Sequence, residues 1–312
     1  MKTEKQRTMF YRRAAWIAGK SGNLEKELKV AHKILSSTAE RTFPHNEGEM
    51  QGLSFENSDQ GFCMHIASYV PHQATSLVPF PSRASARNTT PQSPPDKHNY
   101  LEGDIFVVIR GNHIVLCPSG ARESVAISYM THALRRSGKD KLITHFSVEP
   151  VVSIDKMKII QQEGVKKIAL NASLYEASTD YLERKTTKMT LLNGLANEVL
   201  TLFAKDDDDR LKDVDEFENL SVRVEISFDS RKRGGEIGRE RLERTAEKVI
   251  SDNEDDGFQI ITGGGKKFTP NSIRINEPVS LSVFGNSVER EKAWDSLKKY
   301  LDSLHESGAL EQ

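Results

Sequence analysis

The segment from Ile105 to Cys117 constrains the fold most. Ile105 to Ile109 is a continuous apolar run. Gly111-Asn112 is a two-residue turn signal, and His113 to Cys117 is apolar again. That pattern is a hairpin, and a hairpin commits its neighbours to an antiparallel sheet. A second pair precedes it. One strand is expected near Met50 to Phe55 and another from Phe62 to Val70, joined by an Asn-Ser-Asp-Gln-Gly turn. A first strand is expected within residues 8–18, carrying Met9, Tyr11, Ala15 and Ile17.

Helices flank these strands. Leu24, Leu28, Ala31, Ile34 and Leu35 recur at helical spacing within 23–40, with Asn23 as the expected N-cap. Residues 122–136 read as a second helix that ends at Arg135-Arg136 with Ser137-Gly138 as its stop. The expected order is β-α-β-β-β-β-α, closing a first domain over 1–138. Residues 71–98 interrupt it. Pro71, Pro79, Pro81, Pro91, Pro94 and Pro95 lie among Ser, Thr and Asn, which predicts a long exposed loop.

The remainder, 139–312, reads as a second α+β domain. Strands are expected at His145 to Val152, over 165–175, and from Val222 to Phe228. Three short ones follow, at Phe258 and Ile260, at Ile273 and Ile275, and at Val279 to Val283. Helices are expected at 187–204, 239–251 and from Val288 to Leu304. A chain of 312 residues exceeds one ordinary core. The fold class is α+β: two domains, each a mostly antiparallel sheet with packed helices.

Composition bounds the function loosely. The net charge is −1, so the distribution of charge must decide whether nucleic acid is a partner. Two cysteines, Cys63 and Cys117, without a signal sequence read as reduced thiols of a cytoplasmic protein. No apolar run approaches the roughly 18 residues that span a bilayer.

Motifs with catalytic chemistry fail on spacing. Asp206 to Asp209 are consecutive carboxylates that point apart and fit a solvated loop better than a cation site. Cys117 to Arg122 approaches a phosphatase loop but is one residue short. The nine histidines show no zinc spacing. No nucleophile elbow and no Walker loop occur. No catalytic residue, metal or cofactor is assigned, and the chain is not read as an enzyme.

Basic segments are the leading candidates. The first 33 residues hold nine Lys or Arg against three acids. Arg231, Lys232 and Arg233 follow a strand directly. Arg239, Arg241 and Arg244 open the next helix, although Glu236, Glu240, Glu243 and Glu247 share it and form a mixture of attractive and repulsive pairs. Lys266 and Lys267 close the run Thr262-Gly263-Gly264-Gly265, which is a hairpin tip or a phosphate contact. Cations on loop tips and helix starts suit contact with phosphate irrespective of sequence. The candidate DNA-binding set is Arg231, Lys232, Arg233, Arg239, Arg241, Lys266 and Lys267, with Arg12 and Arg13 from the first domain. Two other readings compete. One is a metal-dependent nuclease using Glu225, Asp229 or a carboxylate from the first domain, with Lys232 as the candidate lysine. The other is an interaction module presenting Trp294 and Tyr300 on the last helix.

Over residues 100–305 the order of several segments resembles the RexA component of temperate-phage Rex exclusion systems. They are Leu101-Glu102-Gly103-Asp104 before an apolar strand, Phe146 to Val151, and the alternating strand 165–175. After the helix at 189–204 come Leu220 to Phe228 with Arg231-Lys232-Arg233, and a helix containing Lys248. The segments around Gly265 to Ile275 and the C-terminal helix complete it. The layout is also similar to the B component of Kiwa-type defence systems. The resemblance implies a cytoplasmic, homodimeric protein that binds DNA with little sequence preference and acts with a small membrane protein in phage exclusion or abortive infection. The insertion at 71–98 is a departure, and no functional residue is carried across.

Overall fold

The structure, a computed structural model, describes residues 4–16, 22–81, 86–139, 141–173, 221–228, 235–251 and 257–311. In chain order the first elements are β1 (Glu4–Trp16), α1 (Leu24–Ile34), β2 (Thr42–His45), β3 (Gly48–Ser58) and β4 (Gly61–Tyr69). Next come β5 (Thr75–Leu77), β6 (Thr90–Gln92), β7 (Gly103–Arg110), β8 (His113–Ser119), α2 (Glu123–Arg136), α3 (Lys141–Thr144) and β9 (Phe146–Pro150). The middle of the chain forms α4 (Ile154–Glu163), β10 (Val165–Ser173), β11 (Ser221–Ser227), α5 (Glu236–Ser251), β12 (Phe258–Thr262), β13 (Lys267–Phe268) and α6 (Pro270–Ile273). It ends with β14 (Asn276–Phe284), β15 (Ser287–Val288), α7 (Arg290–Glu306) and a short 3-10 turn. The class is α+β, and the paired strands run antiparallel.

The chain forms two compact units, but not by a cut at residue 138. Unit 1 is Met1–Val151 together with Asn276–Gln312, and unit 2 is Val152–Ile275. The cause lies in β1. Its first half pairs with β14, its centre with β8, and its end with β9. The last strand and helix, expected in the second domain, therefore belong to the first sheet. That sheet runs β15-β14-β1-β8-β7-β4-β3-β2. The expected hairpins are its middle: Phe62 to Ser68 lie against Gly103 to Ile109, and Ile105 to Arg110 against His113 to Pro118. Gly111 takes φ +63°, as the turn between β7 and β8 requires. β2, not foreseen, is the edge strand, where Pro44 costs no interior ladder bond.

Alternation along the strands divides the side chains between two faces. Phe62, Met64, Ile66, Ile105, Val107 and Ile109 face α1 and α2. On α1, Leu24, Leu28, Ala31 and His32 are buried, and Asn23 caps it by accepting from the Lys26 amide. The face opposite is covered by α7, which buries Ala293, Trp294, Leu297, Leu301 and Leu304. The Trp294 indole donates to the Met64 carbonyl at 3.2 Å. Trp294 and Tyr300, the proposed interaction residues, are thus 3% and 5% exposed and belong to the core. The insertion at 71–98 is largely exposed where described, closed by the short β5–β6 ribbon.

Unit 2 has a four-stranded sheet, β11-β10-β12-β13, with α5 packed on it. Ile168, Leu170, Leu242, Ala246, Val249 and Ile260 form its core, joined by Ile160 from α4. Ile273 and Ile275 do not form the expected strand. Pro270–Ile273 is a helical turn whose capping box uses Thr269 and Ser272, with Pro270 at the start. The two ends of unit 2 meet: Val152 bridges Arg274, and the Ser153 amide donates to the Ile273 carbonyl. The helix expected at 187–204 lies outside the described residues.

One buried polar contact ties α1 to α2. His32 sits 2.9 Å from the Tyr129 hydroxyl through Nε2 and 3.0 Å from the Leu28 carbonyl through Nδ1. Burial lowers its pKa from 6.5 to about 4. The folded state thus resists a proton that the unfolded chain accepts. The stability that His32 contributes is full above pH 6.5 and is lost as pH falls towards 4. The expected loss by pH 5 is about 2 kcal/mol. Urea midpoints of wild type and His32→Gln at pH 7.5 and pH 5 check it. The variant should lose much less on acidification, and equal losses would refute this origin.

Candidate nucleic-acid interface

The basic residues singled out from sequence meet different fates. Arg12 is 6% exposed. Its guanidinium forks onto Glu123 at the start of α2, Nε at 3.0 Å and Nη2 at 2.8 Å, while Nη1 donates to the Tyr11 carbonyl. Arg13 donates to the Leu310 carbonyl at 2.6 Å. Both stand where β1 changes partners, and both brace unit 1 from within. Arg12 thus acts as a structural residue, its guanidinium held by a carboxylate in the core, and Arg13 is half-buried against the C-terminal turn.

In unit 2 the glycine run folds back on its own chain. A Cβ at Gly263 would lie 2.4 Å from the Glu163 carbonyl, and one at Gly264 would lie 2.6 Å from the Glu163 carboxylate. That carboxylate accepts from the Thr262 hydroxyl at 2.6 Å and pairs with the Lys266 ammonium at 2.7 Å. The Lys266 and Thr262 hydrogen bonds lower the Glu163 pKa. The loop is a hairpin tip closed around the end of α4. Lys266 is paired there but exposed, as is Lys267 on β13.

α5 carries the remaining cations. Leu242, Ala246, Val249 and Ile250 turn inward. Arg239 is exposed and lies over the Phe228 ring at 5.5 Å, so the helix start is anchored by a cation–π contact. Arg241, Arg244 and Lys248 are all exposed, and their i, i+3, i+7 spacing aligns them along the outer side of the helix. Glu240, Glu243 and Glu247 form a parallel acidic row beside them. Arg244 reaches across to Glu240, while Arg241 and Lys248 make no ion pair with a described residue. Lys248 was not among the candidates read from sequence, although the three-four spacing from Arg241 was there to read. Arg231, Lys232 and Arg233 lie outside the described residues.

Of the residues named in the nuclease reading, Glu225 is the one among the described residues. Glu225 on β11 is held between Lys167 at 2.9 Å and Arg223 at 2.8 Å, chiefly the Lys167 contact lowering its pKa. That is a cross-strand charge cluster. Asp229 and Lys232 lie outside the described residues. Among the described residues no group of three His, Cys, Asp or Glu could hold a metal ion. Both cysteines are free and buried, with burial pushing Cys63 up to about 11 and Cys117 up to about 12, so neither is a reactive thiolate. Among the described residues no helix is long and apolar enough to cross a membrane.

No protein-family model matches the chain, and no curated protein matches it.

Losing Arg12 removes the fork that holds the half-buried Glu123 carboxylate. Arg12→Ala should lower unit 1 stability by about 2 kcal/mol, since Glu123 keeps some solvent. Arg241→Ala should change stability by less than about 0.5 kcal/mol. Thermal melts of the two variants against wild type check this contrast, and equal shifts would contradict it.

Proposed function

We propose that the protein binds double-stranded DNA with little sequence preference through unit 2, as a non-enzymatic component of a phage-exclusion system. The observation that carries this reading is the row Arg241, Arg244 and Lys248 along the outer side of α5. In sequence the basic segment Arg231 to Arg233 precedes it. A rod-like row of cations suits the regular charge of a duplex backbone, and each cation that meets a phosphate releases counterions. Base-edge readout needs side chains set on a groove-sized element with donors and acceptors in register, and this row offers point charges and forks instead. The acidic row beside it limits how the duplex can lie, because Glu240, Glu243 and Glu247 repel phosphate.

The order of segments shared with RexA-type proteins supports the same reading and adds its setting. That setting is a cytoplasmic homodimer that works with a small membrane protein. Arg239 supports the interface indirectly, by fixing the start of α5 on Phe228.

Two charge-removal variants test the reading. Replacing Arg231, Lys232 and Arg233 with Ala, or Arg241, Arg244 and Lys248 with Ala, should weaken binding to random-sequence duplex. Each should flatten the salt dependence, by about one unit of log–log slope for every phosphate that loses its cation. Gel shifts or fluorescence anisotropy from low to physiological salt provide the readout, with circular dichroism as the folding control. Unchanged affinity in both variants would refute the assignment. DNA cut in the presence of Mg²⁺ would replace binding with nuclease activity.

A further inference from the structure

Unit 1 holds a cavity that DNA binding does not use. Its volume is about 710 Å³, enough for a small organic molecule. It opens beside the start of α7, on the side of the sheet opposite α1 and α2. Leu53, Ala67, Tyr69, Leu101, Phe284 and Val288 give it apolar walls. Phe284 is 74% exposed and Leu53 39%. Apolar side chains left in water around a concavity mark a surface that binding would cover.

The polar group at the base is unusual. Asp104, on β7, is 1% exposed. His65, beside it on β4, donates from Nε2 to Asp104 Oδ2 at 2.8 Å, and the Ser287 hydroxyl donates to the same oxygen. Asp104 Oδ1 is buried and accepts no hydrogen bond from the described residues. A buried carboxylate with one oxygen unserved is costly to keep. The imidazole is also fixed. It stacks on Phe106 with centroids 4.4 Å apart and 14° between planes. The base of the cavity therefore holds a buried carboxylate with one oxygen that no described donor serves.

The mouth carries both signs of charge. Glu289 and Glu291 line it with Arg290 and Lys97. Arg290 is committed to Glu291 and lies over the Trp294 ring at 5.1 Å. A phosphate or carboxylate reaching the base would meet the buried Asp104 carboxylate. A bare metal ion is not served either, since no three-ligand group exists among the described residues.

We propose that this cavity binds a small organic cation, an ammonium or amidinium on an aromatic or aliphatic body. The charged head sits at Asp104 and His65, and the body fills the space between Leu53 and Phe284. The charge of the cation offsets the buried Asp104 carboxylate, and its body covers the exposed apolar rim.

Calorimetric titration of the full chain with three matched probes tests this: 4-phenylbutylamine, 4-phenylbutanol and 4-phenylbutyrate. The amine should bind saturably at one site, with the alcohol and the carboxylate at least about tenfold weaker. Asp104→Asn should weaken the amine about tenfold, and Phe284→Ala should weaken it severalfold. Phe284 stands in solvent, so its variant keeps the test decisive even where Asp104→Asn fails to fold. Absence of saturable amine binding overturns the proposal. So does carboxylate binding as tight as the amine's, or amine affinity unchanged by Phe284→Ala.

Discussion

Unit 1 depends on the backbone of β1. Its N–H and C=O groups must all find partners once the strand is buried, and no single neighbour is long enough to supply them. Three strands divide its length between them. β14 takes Glu4 to Phe10, β8 takes Phe10 to Arg13, and β9 takes Arg12 to Trp16. Everything else in the unit is arranged around that handover. Arg12 and Arg13 stand at it and tie it to α2 and to the C-terminal turn. α7, carried in next to β14, covers the face that the hairpins leave open.

This explains which parts of the fold were legible. Hairpins are local, and their turn residues announce them, so β3–β4 and β7–β8 follow from Asn57 to Gly61 and from Gly111-Asn112. Asn23 and its helix were readable for the same reason. Pairing between β1 and β14 is not local. Nothing in the alternation of Val279, Leu281 and Val283 says whose neighbour they are, and so the boundary was placed at 138. Ile273 and Ile275 show a different failure. Two apolar residues at spacing two look like a strand, but Thr269, Pro270 and Ser272 already spell a capped helical turn, and the cap decides. α4 escaped notice because only Ile160 along it is fully buried, and its polar turns gave little periodicity.

The candidate interface was half legible. Clusters of Lys and Arg are visible in any sequence, whereas the carboxylates that claim them are not. Glu123 claims Arg12, and Glu163 claims Lys266, from positions remote along the chain. What survives on α5 is set by helical spacing, which can be read without the fold. The pair of Asp104 and His65 was invisible for the converse reason. Neither residue belongs to a motif, and only the register of β4 against β7, together with Ser287 from the far end of the chain, brings the three together.

The meeting of Val152 with Arg274 has a consequence for biogenesis. Unit 2 enters and leaves at one point, as an insertion between two strands of the same sheet. During vectorial synthesis unit 2 is complete while unit 1 still lacks β14 and α7. The nascent first sheet therefore waits with one long edge of β1 unpaired and one apolar face bare, the condition in which strand edges invite foreign partners. Synthesis of β14 and α7 closes it. The order of assembly is thus inside-out: the inserted unit first, and the unit that flanks it last.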